Sequence, residues 1–359
     1  MKFERYIDEL LTRKIFPGIT VLAGSHKGEP FKKSYGEKSS AYRNDPLDTR
    51  SIYDLASLTK PLITSMATLL LIEQGEFAED TPISRILPGF REDIRVSHLI
   101  SHTSGIPAWY PLYLRSEDHI DVIRGLEPVS QPGKKVVYSC LGYILLAEII
   151  RKISGSPFSS FSENKIISRI GLGNTFFAVP EIRIKECVPT EMGNAYEKAV
   201  AEKDFPALSA GHQWRTGVLR GEVNDGNSYF LGGSSGNAGL FSNADDIFRL
   251  SREFYPEFTT LLKPETALMF WKNMTPFKRS SRTFGFKLNS SLVTSGGRGL
   301  SRHAIGHSGF TGTSVWLEPG SANVFIILTN RIHPVYDPSV NFNRIRRRLH
   351  RLLKKGLGL

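Results

Sequence analysis

A serine and a lysine stand three positions apart in the stretch DLASLTKP, Ser57 and Lys60, directly before an apolar run, LITSMATLLLIEQGE. On a helix, residues i and i+3 share a face, so the lysine amine can reach the serine hydroxyl. The run that follows is apolar on nearly every face, which marks a buried helix. A buried amine loses solvation, and its pKa is expected to fall towards neutrality, where it can accept the serine's proton. The Ser57 amide, at a helix N-terminus, would favour an anion forming beside the serine. A second reading gives the same residues no chemistry: Ser57 caps the helix and Lys60 extends its ammonium to water. Spacing alone does not separate the two, because Ser162-Glu163-Asn164-Lys165 also fits S-x-x-K, with no buried helix after it.

Two more short sites carry groups that could serve the same reaction. Tyr138-Ser139-Cys140 precedes the apolar helix LGYILLAEII. Tyr138 there is a candidate proton relay, its pKa lowered by a nearby ammonium, or else an aromatic anchor at a helix start. His307-Ser308-Gly309 precedes FTGTSVWLEP. Gly309 would let a substrate approach the strand edge closely, and the Phe310 N–H would be a second oxyanion donor beside that of Ser57. His307 is otherwise a structural or surface histidine.

Such sites need a frame that brings residues 57, 138 and 307 together. IFPGITVLAGSHKGEPFKKSYGEKS reads as a hairpin after an amphipathic first helix, MKFERYIDELLTRK. TGTSVWLEPG and ANVFIILTN read as two strands joined by a Pro-Gly turn, and a basic helix closes the chain. RVSHLISHTSGIP and YSCLGYILLAEIIRKISG read as helices stopped by glycine, and FSNADDIFRLSREF as a helix capped by Ser242 with Asp245 three positions on. Strands at both ends would most simply share one antiparallel sheet carrying the terminal helices. The expected fold is therefore α+β: a sheet region over about 1–56 and 285–359, and a mostly helical lobe over about 57–284, in a single domain of 359 residues. A hydrophobic content of 40% with 22 Phe and 12 Tyr suffices for a sizeable core.

The order and context of these sites resemble the penicillin-recognising serine hydrolases, in particular the branch of class C β-lactamases, DD-peptidases and related esterases. DLASLTKPLIT is similar to the nucleophile helix of that family, and VSHLISHTSGIP to its L-x-x-H-T-S-G-L/I-P segment. QPGKKVVYSCLGYILLAEII, GNAGLFSNADDIFRL and HSGFTGTSVWLEP are similar to its tyrosine block, its loop-to-helix segment and its H-x-G-x-T-G block. The resemblance implies a β-lactamase/transpeptidase-like fold and an acyl-enzyme on Ser57. Lys60 and Tyr138 would move the proton, the backbone amides of Ser57 and Phe310 would hold the oxyanion, and no metal or organic cofactor is implied. Cys140 stands where the tyrosine motif usually ends in Asn; it reads as a small apolar filler or, less simply, a second nucleophile. Cys140, His307, Ser308, Gly309, Trp214 and Asn237 are the candidate substrate-binding residues. The segment VPTEMGNAYEKAV to GNAGLFS, with LTNRIHP, resembles a subgroup that includes N-acetylmuramoyl-L-alanine amidase-like hydrolases. Asn224 and Asn237 stand where that subgroup has histidines, and Gly226 where it has Glu. Glu191, Trp214, Arg215, Asp225 and Asn227 are candidates for pocket lining or for hydrogen bonds that shape loops.

The reading is a serine hydrolase acting on an ester or amide: a muropeptide, a D-amino-acid peptide or a small ester. The alternative within the family is a catalytically weak or inactive member that binds a peptide or muropeptide. An α/β-hydrolase reading rests on Gly232-Gly233-Ser234-Ser235-Gly236, with Asp245 and His303 following in order. The elbow needs a helix directly after the serine, and NAGLFS interposes loop. The net charge of +11 is partly concentrated in NRIRRRLHRLLKKGLGL, whose Ile345, Leu349, Leu352 and Leu353 recur at helical spacing. That pattern describes a helix packed on the body with its arginines in water, and no nucleic-acid partner is expected. Two cysteines make no disulfide framework, no apolar run approaches a membrane span, and a charged N-terminus without an apolar core suggests a cytoplasmic location.

Overall fold

The computed structural model describes residues 1–41, 44–290 and 294–359. Six strands form one antiparallel sheet: β1 (Gly18–Ser25), β2 (Phe31–Gly36), β5 (Lys287–Leu288), β6 (Ile305–Ser308), β7 (Ser314–Leu317) and β8 (Asn323–Thr329). Their order across the sheet is β2-β1-β8-β7-β6-β5, so the first hairpin pairs with the last strand, Ile19 opposite Thr329 and Val21 opposite Ile327. Two short strands, β3 (Tyr53–Asp54) and β4 (Phe241–Ser242), pair separately beside the segment that carries Ser57.

Both faces of the sheet are covered, which explains the unbroken apolar run VFIIL in β8. Phe325 and Ile327 face one side with Ile19, Val21 and Trp316. There they meet the N-terminal helix α1 (Lys2–Thr12) through Phe3, Ile7 and Leu10, and the C-terminal helix through Ile345, Leu349 and Leu353. Val324, Ile326 and Leu328 face the other side and join the core of the helical lobe. The basic helix thus packs by its apolar stripe, as its spacing predicts.

Within the lobe, the segment that carries Ser57 is not one regular helix. A tight turn over Ala56–Leu58 leads into a wide, π-type turn over Lys60–Ser65, and regular α2 (Met66–Glu73) follows. Such wide turns concentrate at functional sites. The central helix α3 (Cys140–Ser154) starts at the Ser139 hydroxyl, which accepts from the Gly142 N–H at 3.1 Å. It stops at Gly155, whose φ of 67° few other residues tolerate. Helix α4 (Ala244–Ser251) is capped one residue later than expected. Asn243 accepts from the Asp246 N–H at 2.9 Å, because Ser242 is held in β4.

Candidate active site

The turn that carries Ser57 is shaped by Asp54. This buried carboxylate accepts the Ala56 N–H at 2.8 Å with one oxygen and the Asn224 N–H at 2.8 Å with the other. Between Asp54 and Ser57, Ala56 is held at φ 46°, the left-handed region that L-residues avoid. Strain of this kind persists only where surroundings impose it. The Asp54 clamp is one such constraint, and the β6–β7 turn supplies others: Thr311 donates its hydroxyl to Asp54 O at 2.8 Å and Thr313 to Leu55 O at 3.1 Å. A Cβ on Gly309 would lie 2.5 Å from Leu55 O and 2.2 Å from Thr313 Oγ1. The Ser57 turn thus passes against Gly309 at a distance that leaves no room for a side chain there. Gly309→Ala is expected to push the turn and the Phe310 amide apart and to lower kcat/KM about 100-fold or more, the scale of one lost oxyanion donor. Steady-state hydrolysis of an activated ester by folded variant protein measures it.

Burial pushes Asp54 up from its ordinary 3.8 to about 6, its two backbone hydrogen bonds opposing. The folded chain therefore holds this proton more tightly than the unfolded one. The stability it contributes is complete below about pH 4 and lost as pH rises through about 6. Asp54→Asn should remove that slope. Denaturant titrations at pH 4 and pH 7 should show the wild type losing about 2 kcal/mol relative to the variant.

Lys60 is fully buried (0% exposed) and donates to Ser57 Oγ at 2.9 Å, to the Asn237 carbonyl at 2.8 Å and to Cys140 Sγ at 3.4 Å. The snorkelling alternative is thereby excluded. The expected neutral amine is also corrected. Burial is the largest single influence and pulls the Lys60 pKa down, but Cys140, Tyr138 and Asp225 together outweigh it, and the amine lies above its ordinary value. Three acceptors around the Nζ favour the charged form. Tyr138 is corrected likewise. Burial raises its phenol above the usual value, and Lys60 offsets this only in part. Its hydroxyl is buried without a well-aligned partner, while its ring lies 5.1 Å from Lys60 Nζ. The neighbouring chain is tied to the HTSG segment: the Ser139 N–H donates to His102 Nδ1 at 3.1 Å, and the Val137 N–H to His102 O at 2.8 Å.

Ser57, Tyr138, His307, Ser308, Gly309 and Phe310 line one cavity of about 460 Å³. The hydrogen bonds of the β6–β7 turn run from Gly309 N to Thr313 O and from Gly312 N to Gly309 O, bypassing the Phe310 amide. Burial, then Arg282 and Lys60, hold His307 well below the usual imidazole range, so it is neutral. Cys140 has its thiol raised by burial and touches the amine. Asn237 serves Lys60 through its carbonyl, while its side chain donates to Asp225 at 3.0 Å. Trp214 stacks edge-on with Tyr113 and His212, away from this cavity's lining. Glu191, Arg215, Asp225 and Asn227 make loop-shaping hydrogen bonds, for example Glu191 with the Tyr196 N–H at 2.7 Å and Asn227 with the Leu112 N–H at 2.9 Å. The Ser234 elbow does not assemble: Asp245 pairs with Lys32, and His303 lines a different hollow. Asp54, Arg282, Lys287, Arg331 and Arg346 were not singled out from sequence. Their only local signal was DLASLTK for Asp54; the cations come from segments that meet at the site only through the fold.

A serine–lysine pair at the mouth of a buried helix, with a tyrosine and a strand-edge turn converging on it, defines the class of protein. Residues 3–348 match the Beta-lactamase family, and the chain belongs to it. It is 31% identical, over 94% of its length and 83% of the relative's, to the N-acetylmuramyl-L-alanine amidase of Bacillus subtilis (strain 168). Its fold superposes on EstCE1, a hydrolase with promiscuous acyltransferase activity, with a TM-score of 0.74 at 18% identity over 98% of both chains. A Beta-Lactamase/D-Alanine Carboxypeptidase from Pseudomonas syringae gives a TM-score of 0.73 at 17% identity, over 98% of this chain and 99% of that one. The α+β, β-lactamase/transpeptidase-like architecture read from the motifs agrees with these matches. No helix among the described residues is long and apolar enough to cross a membrane.

Proposed function

We propose that the protein hydrolyses an ester or amide through an acyl-enzyme on Ser57, with a peptide or muropeptide as the preferred acyl donor. The observation that carries this is the 2.9 Å contact between the buried Lys60 amine and Ser57 Oγ, at the wall of a cavity large enough for a small ligand. The amidase relative supports the muropeptide side of the reading.

Because Lys60 is an ammonium, it donates to Ser57 Oγ and leaves the serine's own proton free to point elsewhere. It also stabilises the alkoxide that forms. Tyr138 relays the proton. As Ser57 Oγ closes on the carbonyl, its proton passes to the Tyr138 oxygen while the phenol's proton goes to the leaving nitrogen or oxygen. The amides of Ser57 and Phe310 hold the developing oxyanion. In deacylation, water takes the leaving group's place: its proton goes to Tyr138 and the phenol's returns to Ser57. Cys140 in place of an amide side chain weakens recognition of an acylamido group, since a thiol donates poorly. That favours small or differently anchored acyl groups over penicillins. A fluorophosphonate probe followed by peptide mapping tests the proposal. An adduct on Ser57 is expected. No adduct with any acylating probe would leave a binding protein instead.

A further inference from the structure

A second hollow, of about 1430 Å³, opens between α1, the C-terminal helix (Phe342–Leu357) and residues 297–302 before β6. Seven arginines line it, with no lysine and a single carboxylate, Glu9. Four of them, Arg344, Arg347, Arg348 and Arg351, recur at i, i+3, i+4 and i+7 and so share one face of the C-terminal helix. Arg13 closes α1 from the other wall, and Arg298 and Arg302 come from the connection between β5 and β6. That connection lies flat on the helix: a Cβ on Gly299 would fall 2.7 Å from Arg351 Cα, and one on Gly297 2.6 Å from Arg347 Cγ. None of the seven arginines lines the Ser57 cavity, and the two hollows share only Val340 and Asn341.

The chain has 35 acidic residues to set among its 46 Lys and Arg, yet this hollow concentrates one sign of charge. Among the described residues, none of the seven arginines joins an ion pair. Glu9 lies 3.7 Å from Arg5, which is not part of the lining. Charges within about 8 Å of one another repel at physiological salt, and a concave surface of one sign draws anions in.

The lining also selects among anions. Its side-chain acceptors are already engaged: Asn289 Oδ1 accepts from the Gly297 N–H at 3.1 Å, Asn341 Oδ1 from the Arg344 N–H at 3.1 Å, and Glu9 faces Arg5. A ligand here meets many donors and few acceptors, so it must bring oxygens rather than N–H groups. Phosphates meet that demand, and guanidinium forks take their oxygens in pairs; a peptide chain, with an N–H at each residue, does not. Nucleobases have nothing to stack on, because the one aromatic ring in the lining, Tyr6, is buried and covered by Arg348 at 3.9 Å. The hollow is concave and none of its large apolar side chains is exposed, which is the wrong shape and surface for a bilayer. Arg344 and Arg351 are about 10 Å apart along the helix, a stretch that suits a chain of phosphates better than a single one.

We propose that this hollow binds linear polyphosphate, held through its phosphate oxygens by arginines from both walls. Binding here does not depend on Ser57.

Fluorescence anisotropy of labelled polyphosphate with the full chain tests it. Kd should be about micromolar or tighter at low salt, and log Kd should rise linearly with log salt concentration. Arg298→Gln/Arg348→Gln should weaken binding about tenfold or more and lower the salt slope by about 0.7 for each arginine removed. Lys165→Gln/Lys203→Gln removes the same charge from exposed positions elsewhere and should shift Kd by less than about twofold. Poly-L-glutamate of equal charge, oligothymidylate and phosphatidylglycerol vesicles should each bind about tenfold more weakly than polyphosphate. Any of these three matching polyphosphate, an equal loss in the two double variants, or no binding at low salt would overturn the proposal.

Discussion

Ser57→Ala is expected to lower ester or amide turnover by about 10⁴-fold or more and to abolish covalent labelling, while the fold persists. The size follows from what the residue does. Lys60, Tyr138 and the two amides all act on the oxygen that the substitution deletes. What survives is binding in the cavity and an oxyanion site with nothing attacking beside it, which in enzymes of this type retains only a small residue of the rate. Structurally the change is mild. It removes one hydroxyl, which accepts a hydrogen bond from Lys60, and Lys60 keeps its bond to the Asn237 carbonyl. Burst kinetics and intact-protein mass spectrometry check the prediction together. Wild type should show an acyl adduct and the variant none, and a variant retaining more than a few per cent of the wild-type rate would remove Ser57 from the nucleophile's role.

Lys60→Met is expected to lower both activity and stability. Turnover should fall about 10³-fold, because Ser57 loses the ammonium that stabilises its alkoxide. Stability should fall as well, because the fold holds the ammonium more favourably than water does and the substitution leaves Ser57 Oγ, Cys140 Sγ and the Asn237 carbonyl without their buried donor. Paired measurements of kcat/KM and of the denaturant midpoint check both halves. The charge state also has a pH signature on an uncharged ester. If a neutral amine were the base, kcat/KM would climb with pH through the neutral range. With the amine raised above its ordinary value it should stay level from about pH 6.5 to 9 and fall only when Lys60 or Tyr138 loses its proton.

The readable part of this molecule was the part that local physics writes. The three-residue spacing of Ser57 and Lys60, the apolar runs on either side of the Pro319-Gly320 turn, and the apolar stripe of Ile345, Leu349 and Leu353 are all local patterns, and each formed where it was read. The charge on Lys60 was misread because burial was the only visible influence. The groups that reverse it are Cys140, Tyr138 and Asp225, 80, 78 and 165 positions away. Ser242 was misread as a cap because its pairing with Tyr53 in β3 cannot be seen from its own neighbours. Ala56 gives no hint of its backbone conformation, which Asp54 and the β6–β7 turn impose together. The cationic cavity was invisible for the same reason: its arginines and lysine come from the segment before β5, from β5 itself, from the end of β8 and from the last helix.

The pairing of β1 with β8 and the grip of Arg346 on the Gly309 and Thr313 carbonyls carry a consequence for how the protein is made. The central strand neighbours are some 300 positions apart in the chain, Ile19 facing Thr329. A polypeptide still emerging from the ribosome therefore holds its first hairpin unpaired along one edge, beside a lobe whose apolar face has no sheet to cover it. The turn beside Ser57 gains its Arg346 hydrogen bonds only after the helix that carries Arg346 has been made and has packed on the sheet. Chains cut before β8 are expected to leave β1 without its inner partner.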